Sequence, residues 1–179
     1  MGMDAQATDL EAIIGIVKLL KTVRADTSDT FVFGHAAAPG EWAVSGAFAF
    51  AQIDPATLQG KTRTEFRAGF LGLSSLGRST LVQVVDADAA ECAAATELLA
   101  RQLVDRFGAP DLATARPAAE EEMAFAAELG QHPAGMLIAV LRRYEDGCVR
   151  EVFRSLTPRM TTGPIRVFAL QAPGAGDEP

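Results

Sequence analysis

Between positions 41 and 51 the chain sorts its side chains by size with a period of two. Trp42, Val44, Phe48 and Phe50 stand on even positions with Gly46 among them, and Ala43, Ser45, Ala47, Ala49 and Ala51 fill the odd ones. Successive strand residues point to opposite faces, so the pattern predicts one long strand with a bulky face and a nearly bare one. The bulky face requires a core beneath it, and the bare face admits a closely packed helix. No pattern of comparable strength points to a particular chemistry.

A chain of 179 residues can bury a core of its own within one domain. Arginine outnumbers lysine thirteen to three, so the abundance of arginine alone carries no argument. The net charge of −7 favours solubility and opposes nonspecific nucleic-acid binding. Cys92 and Cys148 lie far apart without CxxC spacing, which signals neither a disulfide framework nor a zinc knuckle and fits reduced thiols in a cytoplasmic protein. The apolar run at 10–20 carries Glu11 and Lys18 and is about half the length of a membrane span. No basic segment precedes it, so neither membrane insertion nor a secretory signal is expected.

The expected organisation is an extension over 1–16 with a short helix at roughly 8–16, a single domain over 17–170, and a disordered tail over 171–179. Strands are expected at 18–24, 30–33, 41–51 and 79–85. A hairpin pairs 136–144 with 148–156 around Asp146-Gly147, and 165–170 forms a last strand. Asp54-Pro55 starts a brief helix that stops at Gln59-Gly60, with a further turn or two over 62–68. The longest helix spans 88–107, capped by Asp86 or Asp88 and ended by Gly108. Its apolar stripe is Cys92, Ala95, Leu99, Leu103 and Phe107. Pro117 opens another helix to Leu129. Strands in clusters, with helices grouped mid-chain, predict an α+β fold: an antiparallel sheet with helices packed mainly on one face.

Candidate chemistry is sparse. Gly72-Leu-Ser-Ser-Leu-Gly77-Arg78-Ser79 approaches the phosphate-loop pattern, but arginine replaces its lysine and a β-branched run follows where a helix should. It reads better as a turn feeding a strand. Glu120, Glu121 and Glu122 fan out by about 100° each on a helix and cannot converge on one ion; they suit a first helical turn. Two histidines, His35 and His132, are too few for a histidine-rich metal site, and Cys92 belongs to an apolar stripe. No catalytic residue, metal site or cofactor is indicated.

The hairpin is more informative. A two-residue turn sets Arg142 opposite Glu151, Val140 opposite Phe153 and Tyr144 opposite Val149, a core face with one ion pair. The other face sets Arg143 against Arg150, with Arg154 further along among Leu141, Val152 and Leu156. Like charges facing each other across a ladder are unfavourable unless an anion lies between them, and guanidinium forks suit carboxylates and phosphates. Solvation of all three arginines by water is the plainer alternative.

Several stretches together resemble an uncharacterised family of small bacterial proteins, a domain of unknown function. They are Asp29-Thr-Phe-Val-Phe33, Pro39-Gly-Glu-Trp-Ala-Val-Ser-Gly-Ala-Phe-Ala-Phe50 and Gly69-Phe-Leu-Gly-Leu-Ser-Ser-Leu-Gly-Arg-Ser-Thr-Leu-Val-Gln-Val84. Arg106-Phe-Gly-Ala-Pro-Asp111, Arg116-Pro-Ala-Ala-Glu-Glu-Glu122 and Arg150-Glu-Val-Phe-Arg154 belong with them. The resemblance covers about 17–159 and brings no catalytic residues. It implies an accessory role beside a bacterial redox enzyme such as formate dehydrogenase.

Two functions are therefore expected to compete. One is a non-enzymatic accessory or binding protein that docks an acidic protein or small anion through Arg143, Arg150 and Arg154. The other is a small-ligand protein or enzyme with a pocket near residues 69–79, formed by Trp42, Ser74, Ser75 and Arg78.

Overall fold

The computed structural model describes residues 15–158. Seven strands lie in this span: β1 (Val17–Val23), β2 (Trp42–Val44), β3 (Phe70–Gly72), β4 (Arg78–Ser79), β5 (Leu81–Ala87), β6 (Leu137–Glu145) and β7 (Cys148–Leu156). They form one sheet in the order β4-β3-β2-β1-β5-β6-β7, every neighbour antiparallel. Four α-helices accompany it: α1 (Ser28–Val32), α2 (Gly60–Ala68), α3 (Ala89–Phe107) and α4 (Leu112–Leu129). The fold is α+β. Most of the expected helix at 8–16, the expected strand at 165–170 and the tail lie outside the described residues.

The core follows from sequence periodicity. Ala95, Leu99 and Leu103 on α3, and Ala115, Ala119, Met123 and Ala126 on α4, are buried at three- and four-residue spacing. They pack with Leu20, Val82, Val84, Ile138 and Val140 of the sheet. Each fully buried leucine among them contributes roughly 1.5–3 kcal/mol of transfer free energy. Asp88 and Glu91 form a reciprocal capping box at the start of α3, and Gly108 ends it in the left-handed conformation, φ 80°.

The long strand expected over 41–51 does not form. Pairing stops at Val44, Gly46 turns the chain at φ 76°, and Ala47–Phe50 winds as a 3-10 turn. The cause is a competing demand on the backbone. Buried arginines take the carbonyls of Ser45 and Gly46 as hydrogen-bond acceptors, so these groups do not enter a ladder. A Cβ at Gly46 would lie 2.5 Å from Leu71 Cβ and 2.8 Å from Arg78 Nη1. The aromatic residues still find apolar partners: Phe50 meets Phe66 edge-on at 5.3 Å, and Phe48 meets Phe107 at 5.1 Å.

Other elements also depart from expectation. Residues 30–33 belong mostly to helix α1, because the buried Asp29 reaches across to accept hydrogen bonds from the Thr80 hydroxyl and, at 3.3 Å, the Thr80 amide. The β-branched run at 79–85 is divided: Ser79 pairs with Phe70 while Leu81 pairs with Val23. Helix α4 starts at Leu112, where the Asp111 carboxylate accepts the Thr114 amide at 2.7 Å, so Pro117 lies inside it. The three glutamates at 120–122 consequently stand in mid-helix, away from the first turn.

The hairpin forms as read, with Asp146 at φ 53° and Gly147 at φ 76°, the left-handed pair of a type I′ turn. Its register sets Arg142 opposite Glu151 and Arg143 opposite Arg150. Arg142 is completely buried. Its Nε donates to Glu151 Oε1 at 2.6 Å, and Nη1 donates to the carbonyls of Phe66 at 2.9 Å and Gly69 at 2.8 Å. Nη2 donates to the Ser45 carbonyl and, at 3.0 Å, to Ser45 Oγ, whose own hydroxyl donates to Glu151. One guanidinium thereby ties β6, β7, the C-terminal end of α2 and the end of β2.

Removing one member of a buried ion pair leaves the other charge and its acceptors without partners, at a cost of about 3–5 kcal/mol. Arg142→Ala is expected to lower stability by about that amount, read as a lower urea midpoint. A midpoint equal to the parent's would remove Arg142 from its place in the fold.

Candidate anion-binding surface and cleft

Strand alternation sends two adjacent arginines to opposite faces. Arg142 points into the core, and the side chain of Arg143 is 63% exposed on the opposite face. Arg150, directly across the ladder from Arg143, is 64% exposed. Glu145 lies beside both: its carboxylate is 3.9 Å from Arg143 Nη1 and 3.9 Å from Arg150 Nε. One exposed carboxylate thus serves two guanidiniums at the long limit of an ion pair, and such contacts contribute little in water. Arg154 is exposed on the same face, where Val152 and Leu156 also meet solvent. It has no ion pair or side-chain hydrogen bond among the described residues. This face of β7 combines exposed apolar side chains with positive charge that Glu145 offsets only in part among the described residues.

Beside the hairpin lies a cleft of about 470 Å³. Pro55, Ala56, Leu58 and Phe66 supply apolar lining; Arg63 and Arg67 of α2 and Arg143, Tyr144 and Glu145 of β6 supply polar lining, with Arg142 also at its wall. Arg63 and Arg67 are exposed and one helical turn apart, with no side-chain partner among the described residues. Neither stood out in the sequence, because one arginine pair on a short polar helix is an ordinary solvated pattern. The signal lies in tertiary structure: the bonds from Arg142 to the end of α2 bring this helix beside β6.

The other expected pocket residues have internal roles. Arg78 is buried, donates to the carbonyls of Gly46 and Gly69 at 3.4 Å each, and stacks on Phe50 with Cζ 4.8 Å from the ring centre. Burial and the repulsion of Arg142 pull its pKa down to about 10, against the attraction of Glu65. Ser75 donates its amide to Glu41 Oε2 at 3.0 Å, and its hydroxyl oxygen accepts the Gly77 amide at 3.0 Å. Ser74 is exposed, and its carbonyl accepts Gln102 Nε2 at 3.4 Å. Trp42 is half-buried beneath Lys21, whose Nζ stands 4.2 Å from the ring centre. None of these four residues lines the cleft. The segment at 72–79 is a turn between β3 and β4, with no helix following it.

Burial, then the charges of Asp88 and Glu91, push the Cys92 thiol up, opposite to the direction that generates a thiolate. Among the described residues no group of three His, Cys, Asp or Glu side chains is arranged to hold a metal ion, and no helix is long and apolar enough to cross a membrane.

The chain matches DUF6505, a family of unknown function, over residues 17–173. It belongs to that family. No curated protein and no solved structure matches the chain. Membership in DUF6505 brings no assigned activity.

One carboxylate near the buried pair reports on the local field. Glu122 of α4 has its pKa raised by burial first and by the charge of Glu151 second, against the attraction of Arg142. Between the ordinary carboxylate range and this higher value, the folded chain holds more protons than the unfolded one. The contribution is complete below the unfolded pKa and is lost as pH rises through the folded pKa. Glu122→Gln is therefore expected to raise the urea midpoint at about pH 8 and to leave it nearly unchanged at about pH 4. An equal gain at both values would place the effect outside this titration.

Proposed function

We propose that this member of DUF6505 is a non-enzymatic binding protein that docks an acidic partner through the exposed face of its C-terminal hairpin. The observation that carries this reading is Arg143 facing Arg150 across the ladder, with Glu145 the one carboxylate within ion-pair distance of either among the described residues. On a chain of net charge −7, a face with three exposed arginines runs against the overall balance. Arg154, Val152 and Leu156 extend it along β7, which suits a partner surface of carboxylates interspersed with apolar side chains. The accessory role implied by the resemblance to an uncharacterised family of small bacterial proteins makes a cytoplasmic redox enzyme, such as formate dehydrogenase, the partner to test first.

The test compares the parent with Arg143→Ser/Arg150→Ser in capture of purified formate dehydrogenase from the same source, measured by interferometry. The double variant relieves a like-charge contact and should keep the parent melting temperature. Its affinity should fall at least about tenfold, since each charged hydrogen bond lost is worth about 1.5–3 kcal/mol. The parent interaction should also weaken as salt rises. Retained affinity in the double variant would eliminate this face as the docking site. Absence of parent binding would eliminate this partner.

A further inference from the structure

Two local rules of charge placement are broken beside one another. Arg63 and Arg67 stand four residues apart on a helix, where like charges repel. Arg143 and Arg150 oppose each other on a ladder, where like charges also repel. The two pairs come from elements distant in the chain, yet Arg63, Arg67 and Arg143 line the same cleft. Departures from local consistency of this kind concentrate at functional sites.

We infer that the cleft between α2 and β6 is a binding site for a small phosphate monoester with an apolar or aromatic body. Its volume of about 470 Å³ falls within the roughly 300–1,000 Å³ typical of small-ligand sites. Charge selects the head group. Arg142 is already compensated by Glu151, and Glu145 offsets one of the three lining guanidiniums Arg63, Arg67 and Arg143. Two positive charges remain. A phosphate monoester carries about −1.5 to −2 near neutral pH and presents three acceptor oxygens, enough to serve several guanidinium forks. A monocarboxylate matches neither the charge nor the number of donors.

The rest of the lining selects the body. Pro55, Ala56, Leu58 and Phe66 offer apolar contact, and the Tyr144 ring, 43% exposed, offers a stacking surface with a hydroxyl at its edge. Burying these groups against a ligand adds affinity that inorganic phosphate cannot draw on. The inference does not rest on the docking of a protein partner, because Arg63 and Arg67 lie off the hairpin.

The test is calorimetric titration of the full chain with phenyl phosphate, inorganic phosphate and benzoate, repeated on Arg63→Gln and Arg67→Gln. Both positions are exposed and glutamine is a good helix former, so the variants should keep the parent melting temperature. Phenyl phosphate is expected to bind saturably and to weaken about tenfold or more in each variant. Inorganic phosphate should bind more weakly, and benzoate should bind weakest. No saturable heat from phenyl phosphate up to about 10 mM, or undiminished binding in both variants, would overturn the inference. So would benzoate or inorganic phosphate binding as tightly as phenyl phosphate. Arg150→Ser/Arg154→Ser should leave phenyl phosphate binding within about twofold, which separates the cleft from the hairpin face; a larger loss would overturn the assignment to the cleft.

Discussion

The fold depends on one buried guanidinium. Arg142 presents its donors in a rigid plane, and the chain places an acceptor at each edge of it: Glu151 on the neighbouring strand, Ser45 at the end of β2, and Phe66 and Gly69 at the end of α2. The last carbonyls of a helix lack partners within the helix and carry its negative dipole end. A cation buried there satisfies the carbonyls and is itself stabilised by them. Arg78 donates to the same Gly69 carbonyl from another side. The end of α2 is therefore held by two cations, although only one of them has a carboxylate bonded to it. Burial first lowers the pKa of both guanidiniums; the charge of Arg142 adds to the effect at Arg78, whereas Glu151 opposes it at Arg142.

The same buried charge explains which parts of the fold were legible in the sequence. The hairpin register, the acidic cap of α3 and the apolar stripe of that helix follow from local rules, namely an Asp-Gly turn, an N-cap carboxylate and apolar spacing. The alternation at 41–51 was a local rule as well, and it failed because the carbonyls of Ser45 and Gly46 are claimed by arginines distant in sequence. Size segregation survived in a different form: a 3-10 turn directs Phe48 and Phe50 to different neighbours. The segment at 30–33 shows the same logic, since Asp29 gains buried hydrogen bonds only once Thr80 lies beside it. Tertiary hydrogen bonds overrode strand propensity in both places.

Alternation in β6 also divides structural from available charge. Arg142 and Arg143 are chemically identical neighbours, and pleating alone sends one into the core and the other into solvent. Composition could not separate them in an arginine-rich chain, but register could. The cleft was less legible. Nothing local distinguishes Arg63 and Arg67 from any solvated helical pair, and Arg78, which sequence spacing favoured, proved to be part of the packed interior.

What joins these levels is the contact between Arg142 and α2. By capping the helix end it fixes where the helix lies, and so sets Arg63 and Arg67 on the same cleft as Arg143. Arg142 stands at the wall of the cleft and shapes it by holding the end of α2. A substitution there removes the anchor of α2 and the positioning of two cleft arginines together, whereas changes at Arg63 or Arg67 leave the anchor intact. Cleft and core therefore differ in what a substitution disturbs: a change at the buried Arg142 alters both, whereas a change at the exposed Arg63 or Arg67 alters the cleft charge and little of the packing.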